Sequence, residues 1–326
     1  MLIFLFIAAV KCQKVPDKCR ILAISGGASY GAYEAGAFSG LVEFLHPDDV
    51  MYNVIVGISV GSINALGLSQ FEYGQEKQAS EYLINTWQQL DAHRSIMKPW
   101  PYLGVLAGFI YKSGLFDTSP ERETLEKVVN STFIRKFIAG MTNVATGEYE
   151  TFSELADKNT MIDAVMCSSA IPGFFPMQKM NDTYYVDGGV KFMLEIASGI
   201  EMCLKDWDEE DIIVDMISCN YRNFTKELNM DYKTQDVLDR ADVIRRSQKT
   251  LKIIDSAMVS YPKANFRYFI NPIEDLPGYI GMRFDKYALE ICLSIGYQSA
   301  KEMILNNITA RDLIKLPMPD DLILYA

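Results

Sequence analysis

Gly57-Ile58-Ser59-Val60-Gly61 sets a serine between two glycines, directly after the apolar run Tyr52 to Val56. At a strand-to-helix turn this spacing makes a nucleophile elbow, in which the serine occupies a strained conformation and a side chain on Gly57 or Gly61 would clash. The helix that follows aims its N-terminal N–H groups at the serine, favouring negative charge on the attacking oxygen. A plain tight turn fits the same five residues. A serine nucleophile needs a base, and the chain has only two histidines, His46 and His93. Neither lies late in the chain, where the Ser–acid–His order of α/β-hydrolases would require one; both read as surface or helix-end residues. A carboxylate is the remaining candidate. Asp187 ends the run Thr183 to Val186 and is followed by Gly188 and Gly189, a turn that lets other backbone come close. On its own this motif reads equally as an Asp-Gly hairpin turn.

The third motif is Ser25-Gly26-Gly27-Ala28-Ser29-Tyr30-Gly31, a glycine turn able to present adjacent N–H groups to an anion. Gly26, Ala28 and Gly31 come near a dinucleotide fingerprint. The next strand, however, runs into Gly57-Ile58-Ser59, where that fold expects an acidic residue. An oxyanion hole built from Gly26, Gly27 and Ala28 and serving Ser59 uses all three motifs at once.

These turns need strands and helices to hold them. Arg20–Ser25 and Tyr52–Gly57 read as buried strands, each followed by a helix, about Gly31 to Leu45 and from the Ser59 turn to Ser69. Another helix spans roughly Gly74 to Leu90. Asp211–Ser218 and Phe266–Ile270 read as further strands, and Asp236–Met258 and Asp285–Leu305 have helical spacing of apolar residues. This alternation predicts an α/β layered sandwich, with a mostly parallel central sheet and helices on both faces. Trp100–Phe116 reads first as a core helix with its approach loop, and second as an acyl channel or membrane-touching lid. Arg240, Arg245, Arg246, Lys249 and Lys252 make the Asp236–Met258 helix locally basic, either as a solvated face or as a headgroup contact.

Apolar residues form 49% of the 326-residue chain and charged residues 22%, which excludes a disordered chain. The net charge of −11 argues against a nucleic-acid partner. Met1 to Val10 is an apolar run of secretory h-region length, and residues 1–12 are read as a signal peptide, although no Lys or Arg precedes the run. The four sequons, at Asn130, Asn181, Asn223 and Asn307, lean the same way. The expectation is a secreted or lumenal protein; a cytoplasmic one follows if the run is not a signal. The six cysteines show no CxxC pair and suggest no zinc site. Cys203 with Cys219 is one available pairing, and most of the cysteines read as buried free thiols. Nothing marks an internal boundary, so 20–315 reads as a single domain.

Taken together, Ser25–Gly36 (SGGASYGAYEAG), Gly57–Ser62 (GISVGS), Ser168–Pro176 (SSAIPGFFP) and Tyr185–Val190 (YVDGGV) resemble the patatin-like phospholipase family in order and spacing. The motif-bearing part is about residues 20–195. The resemblance implies a patatin-like fold and hydrolysis of phospholipid or acylglycerol esters by a Ser59–Asp187 dyad. It implies an acyl-enzyme, no metal or other cofactor, and a lipid substrate met at a membrane or micelle surface. Three positions differ from the family's usual pattern. Ala28 replaces a third glycine, Tyr30 replaces a basic residue, and Lys191-Phe192-Met193-Leu194-Glu195 replaces an asparagine and proline after the Asp-Gly-Gly. A lipid-binding or regulatory protein on the same fold, weak or inactive in catalysis, is the alternative.

Overall fold

The computed structural model describes residues 17–90, 95–130, 132–153, 156–220, 231–278 and 283–314. The apolar N-terminal run, Cys12, His93 and the Asn223 sequon lie outside the described residues.

The chain opens with β1 (Cys19–Ile24), α1 (Gly31–Phe44), β2 (Val54–Ile58), α2 (Val60–Ser69) and α3 (Glu76–Gln88). The short strands β3 (Lys98–Pro99) and β4 (Phe116–Asp117) then bracket a short helix, α4 (Val105–Tyr111), and α5 (Ser119–Val128) follows. Next come β5 (Lys136–Asn143), β6 (Tyr149–Phe152), α6 (Lys158–Ser168), β7 (Gln178–Met180), β8 (Thr183–Asp187) and α7 (Ala197–Cys203). The last elements are β9 (Ile212–Ile217), α8 (Thr234–Ser260), β10 (Asn265–Ile270), α9 (Lys286–Leu305) and α10 (Ala310–Ile314).

The central sheet runs β10-β9-β1-β2-β5-β8-β7, with β6 also paired to β5. From β10 to β5 the strands are parallel, whereas β6, β8 and β7 join antiparallel. The predicted α/β architecture is therefore the observed one. Period-two alternation divides the inner strands between two cores. Leu22, Ile24, Ile55, Phe137 and Ala139 face one core, with α1, α2, α3, α6 and α9. Cys19, Ile21, Ala23, Val54, Val56 and Ile138 face the other, with α7, α8 and α10. Burial on both faces explains why these strands read as unbroken apolar runs.

The α1–α9 contact is close because small residues line it. A methyl group on Gly296 would fall well inside contact distance of the Tyr33 carbonyl, and one on Gly36 would strike the Leu293 carbonyl. The far C-terminal helix thereby fixes the helix that leads out of the glycine turn.

One pairing left open by the sequence is resolved here, and one expectation is corrected. Cys203 is bonded to Cys19, not to Cys219. Cys203 sits at the end of α7 in one core and Cys219 in the other, with the sheet between them. Cys167, Cys219 and Cys292 are buried free thiols. Trp100–Phe116 is not a core helix either. Within α4 only Ala107 and Gly108 are buried, and the large apolar side chains around them point outward.

Candidate active site

Parallel strands end their chain direction at one edge of the sheet, where following turns collect and ligands bind. β1 ends there in the glycine turn and β2 in the Ser59 turn. β8 runs the opposite way but is registered so that Asp187 lies opposite Met141, one residue beyond the Gly140 that pairs with Ile58. All three sequence motifs are thereby brought to one end of the sheet.

Ser59 caps α2 with a φ of 54° and is almost wholly buried. A positive φ is costly for a non-glycine residue, and the strain persists only where surroundings over-determine it. Here a Cβ on Gly57 would strike the Gly61 carbonyl, and one on Gly61 would strike the carbonyls of Ile24 and Ser25. The Ser59 N–H donates to Ser168 Oγ at 2.9 Å, and that hydroxyl donates in turn to the Gly140 carbonyl at 2.6 Å. Ser62 Oγ donates to the Ser59 carbonyl at 2.6 Å.

Asp187 is buried with its Oδ1 accepting from the Gly189 N–H at 2.7 Å. Burial raises its pKa to about 6, against the lowering effects of the facing Ser59 hydroxyl, the Gly189 N–H and the charge of Arg246. Gly188 packs so tightly on β5 that a Cβ would meet the Gly140 carbonyl at 2.5 Å, while one on Gly189 would meet Asp187 Oδ1 at 2.9 Å.

The glycine turn lies against the elbow: a Cβ on Gly26 would stand 3.0 Å from that of Ser59. Gly26 itself is no oxyanion donor, because its N–H is held by the Met193 carbonyl at 3.0 Å. Of the predicted trio, Gly27 and Ala28 remain, and Ala28 adopts a φ of 50°, the conformation for which glycine is the usual residue. A buried polar cluster holds the turn from behind. Asn220 Nδ2 donates to the Gly26 carbonyl at 2.6 Å, and Ser25 Oγ donates to Glu34 Oε1 at 3.3 Å. Burial pushes the Glu34 pKa well up. Tyr30 is buried and donates its hydroxyl to the Gly278 carbonyl at 2.9 Å.

An apolar pocket of about 820 Å³, its open mouth included, leads from Ser59 and Ala28 between α2, α3 and α5. Trp87, Leu125 and Phe175 line it, an apolar wall of the kind ligand sites carry. One carboxyl group stands in its wall. Glu121 is buried, accepts from Ser169 Oγ at 2.8 Å, and has its pKa raised to about 7, chiefly by burial.

The motif reading assigned no role to Ser168, Glu121, Glu34 or the Met193 carbonyl. Ser168 and Glu34 lie inside the recognised segments, but only the fold shows what they touch. A backbone carbonyl has no sequence signal. His46 accepts from the Asp48 N–H at the start of a short 3-10 turn, a helix-end role remote from Ser59 chemistry. The basic helix α8 reaches the site's edge, where Lys249 Nζ donates to the Val190 carbonyl at 3.1 Å. Arg245 and Arg246 both pair with Asp242. Asn130, Asn181 and Asn307 are exposed.

A strained serine elbow facing a buried aspartate, beside a glycine turn and an apolar pocket, stands at one end of the sheet of an α/β protein. Residues 22–198 match the model of the patatin-like phospholipase family, more than half of the chain, and the protein belongs to that family. Membership places it among lipid hydrolases. No curated protein matches the sequence. Among solved structures, VipD from Legionella pneumophila aligns over 90% of this chain and 68% of its own, at 13% identity and a TM-score of 0.43. ExoU, in the ExoU–SpcU complex of the Pseudomonas aeruginosa type III secretion system, aligns over 90% of this chain at 13% identity and a TM-score of 0.36. The alignment takes in 52% of ExoU, so this chain spans about half its length. Likeness at this distance carries nothing about chemistry.

Proposed function

We propose that the protein hydrolyses carboxylic esters of phospholipids or acylglycerols through a Ser59–Asp187 dyad. The observation that carries this reading is the facing pair itself, a strained serine whose hydroxyl acts on a buried carboxylate of pKa about 6. Such a carboxylate is ionised at neutral pH, yet its proton affinity is closer to working pH than that of an ordinary aspartate. Asp187 takes the Ser59 proton as Oγ attacks the ester carbonyl carbon. The oxyanion is met by the N–H groups of Gly27 and Ala28 and the N-terminus of α2. The intermediate collapses, the alcohol leaves with the proton held by Asp187, and the acyl chain stays on Ser59 in the apolar pocket. Water, deprotonated by Asp187, then attacks the acyl-enzyme and releases the fatty acid.

The Cys19–Cys203 bond favours an oxidising compartment and the sequons a secretory route, and we propose that the protein works in the secretory pathway or outside the cell.

The test is fatty-acid release from mixed phospholipid and triacylglycerol micelles by the wild type, Ser59→Ala and Asp187→Asn. Release is expected from the wild type, with a loss of roughly 10³-fold or more in both variants. A folded wild type releasing no more than Ser59→Ala would overturn the hydrolytic reading and favour a lipid-binding protein. Near-normal turnover in Asp187→Asn would remove Asp187 as the base.

A further inference from the structure

The strand pair β3–β4 carries a flap out of the body of the protein. Tyr102, Leu103, Val105, Leu106, Phe109, Ile110 and Tyr111 are all exposed on it, Phe109 to 80% and Tyr111 to 72%. The flap is internally tied. Trp100 Nε1 donates to the Gly114 carbonyl at 3.0 Å, and Lys112 Nζ stands 4.9 Å from the centre of the Trp100 ring. Contiguous apolar exposure on this scale marks a surface that is covered in use.

Charge and position identify what covers it. From Lys98 to Phe116 the sequence contains two lysines and no acidic residue, within a chain of net charge −11, although Asp117 directly follows and pairs with Lys98 at 3.5 Å. Aliphatic side chains flanked by Trp, Tyr and Lys are the composition that seats in the headgroup boundary of a bilayer. The flap's returning leg is also joined to the active-site pocket. The Leu115 N–H donates to the Gly173 carbonyl and the Phe116 N–H to the Phe174 carbonyl, each at 3.0 Å. Ile171 and Phe175, in that same loop, line the pocket that opens at Ser59. Phe174 and Met177 extend the exposed apolar surface beside them.

We propose that the flap centred on α4 is a bilayer-docking element, inserting Leu106, Phe109 and their neighbours among the lipids and setting the pocket mouth against the membrane surface. Docking in this way goes beyond the hydrolytic reading and requires neither Ser59 nor Asp187.

The experiment is co-sedimentation of the full chain with sucrose-loaded vesicles, either of phosphatidylcholine alone or of phosphatidylcholine mixed with phosphatidylserine. Wild type and Ser59→Ala are expected to sediment alike with both. The double variant Leu106→Asp/Phe109→Asp is expected to lose roughly tenfold or more in partitioning. Its circular dichroism and thermal midpoint should match the wild type, since both side chains already face solvent; should it misfold, Leu106→Ser/Phe109→Ser takes its place. Absence of wild-type sedimentation, or equal sedimentation by a folded variant, overturns the proposal. So does a wild-type dimer in sedimentation velocity that the variant disperses, because the patch would then join two copies. Vesicle binding without fatty-acid release would leave the docking element standing while removing the hydrolytic reading.

Discussion

At the residue scale the site is governed by two buried carboxylates with different surroundings. Asp187 keeps polar contacts that oppose its desolvation, so its pKa rises only to about 6. Glu121 has one hydroxyl donor and the nearby charge of Asp187, and it rises to about 7. Glu121 therefore holds its proton in the folded protein across a range where the unfolded chain has lost it. Because the native state then binds more protons, the contribution of Glu121 to stability falls as pH rises from about 4.5 to about 7 and is level outside that window. The gap corresponds to about 3 kcal/mol. Glu121→Gln keeps an acceptor for Ser169 and cannot ionise. Urea unfolding at pH 5 and pH 8 is expected to show the variant gaining up to about 3 kcal/mol over the wild type at the higher pH and little at the lower. An equal effect at both pH values would mean that Glu121 does not titrate in this range.

At the scale of elements, the site is held by packing between distant parts of the chain. The glycine turn is carried on α1, and α1 is carried on α9 through Gly36, Gly40 and Gly296. Gly296→Ala drives a methyl group into the Tyr33 carbonyl, and backbone on both sides leaves only a shift of the helices to relieve it. Overpacking of this kind costs ~1–3 kcal/mol, occasionally more. Since α1 moves with the turn that bears Gly27 and Ala28, turnover is expected to drop in the folded variant while the binding constant for a soluble ester changes little. Thermal unfolding together with steady-state kinetics on a soluble ester tests both parts. Stability lost without any change in kcat would show that α9 supports the fold and not the turn.

The same contrast explains what the sequence discloses. Strands β1, β2 and β9 are legible because burial on both faces makes them nearly continuous apolar runs, β10 from the aromatic and aliphatic residues around Arg267, and α9 from its long helical period. Ser59 and Asp187 are legible because a strained turn and a close approach demand glycine next to them. Lys136–Asn143 interleaves Lys, Gly and Thr with its apolar residues, so β5 escapes notice although it joins β2 to β8. The flap misleads for a related reason. An apolar run predicts that water is excluded from it, and does not say whether the protein's own core or another phase does the excluding.

For the whole molecule, the Cys19–Cys203 bond links stability to compartment. It ties the first residue of β1 to the last of α7 across a sequence separation of 184. A cross-link closing so long a loop restricts the unfolded chain strongly, and removing a native one costs ~2–5 kcal/mol. Both sulfurs are buried in one core beneath the sheet, with Ile21, Ile200 and Ile212 in the same cluster. A reductant therefore reaches them only after local opening. In a secretory lumen the bond persists, whereas a reducing cytosol would oppose it. Cys203→Ser is expected to lower the urea midpoint by an amount matching about 2–5 kcal/mol, with little further loss when dithiothreitol is added. Wild-type protein should lose a comparable amount under dithiothreitol, and lose it slowly. Mass spectrometry of alkylated native material separates the alternatives: a Cys19–Cys203 peptide pair is expected, with Cys167, Cys219 and Cys292 alkylated only after unfolding. Cys19 and Cys203 recovered as free thiols from native material, with equal wild-type stability in the presence and absence of reductant, would place the working protein in a reducing compartment.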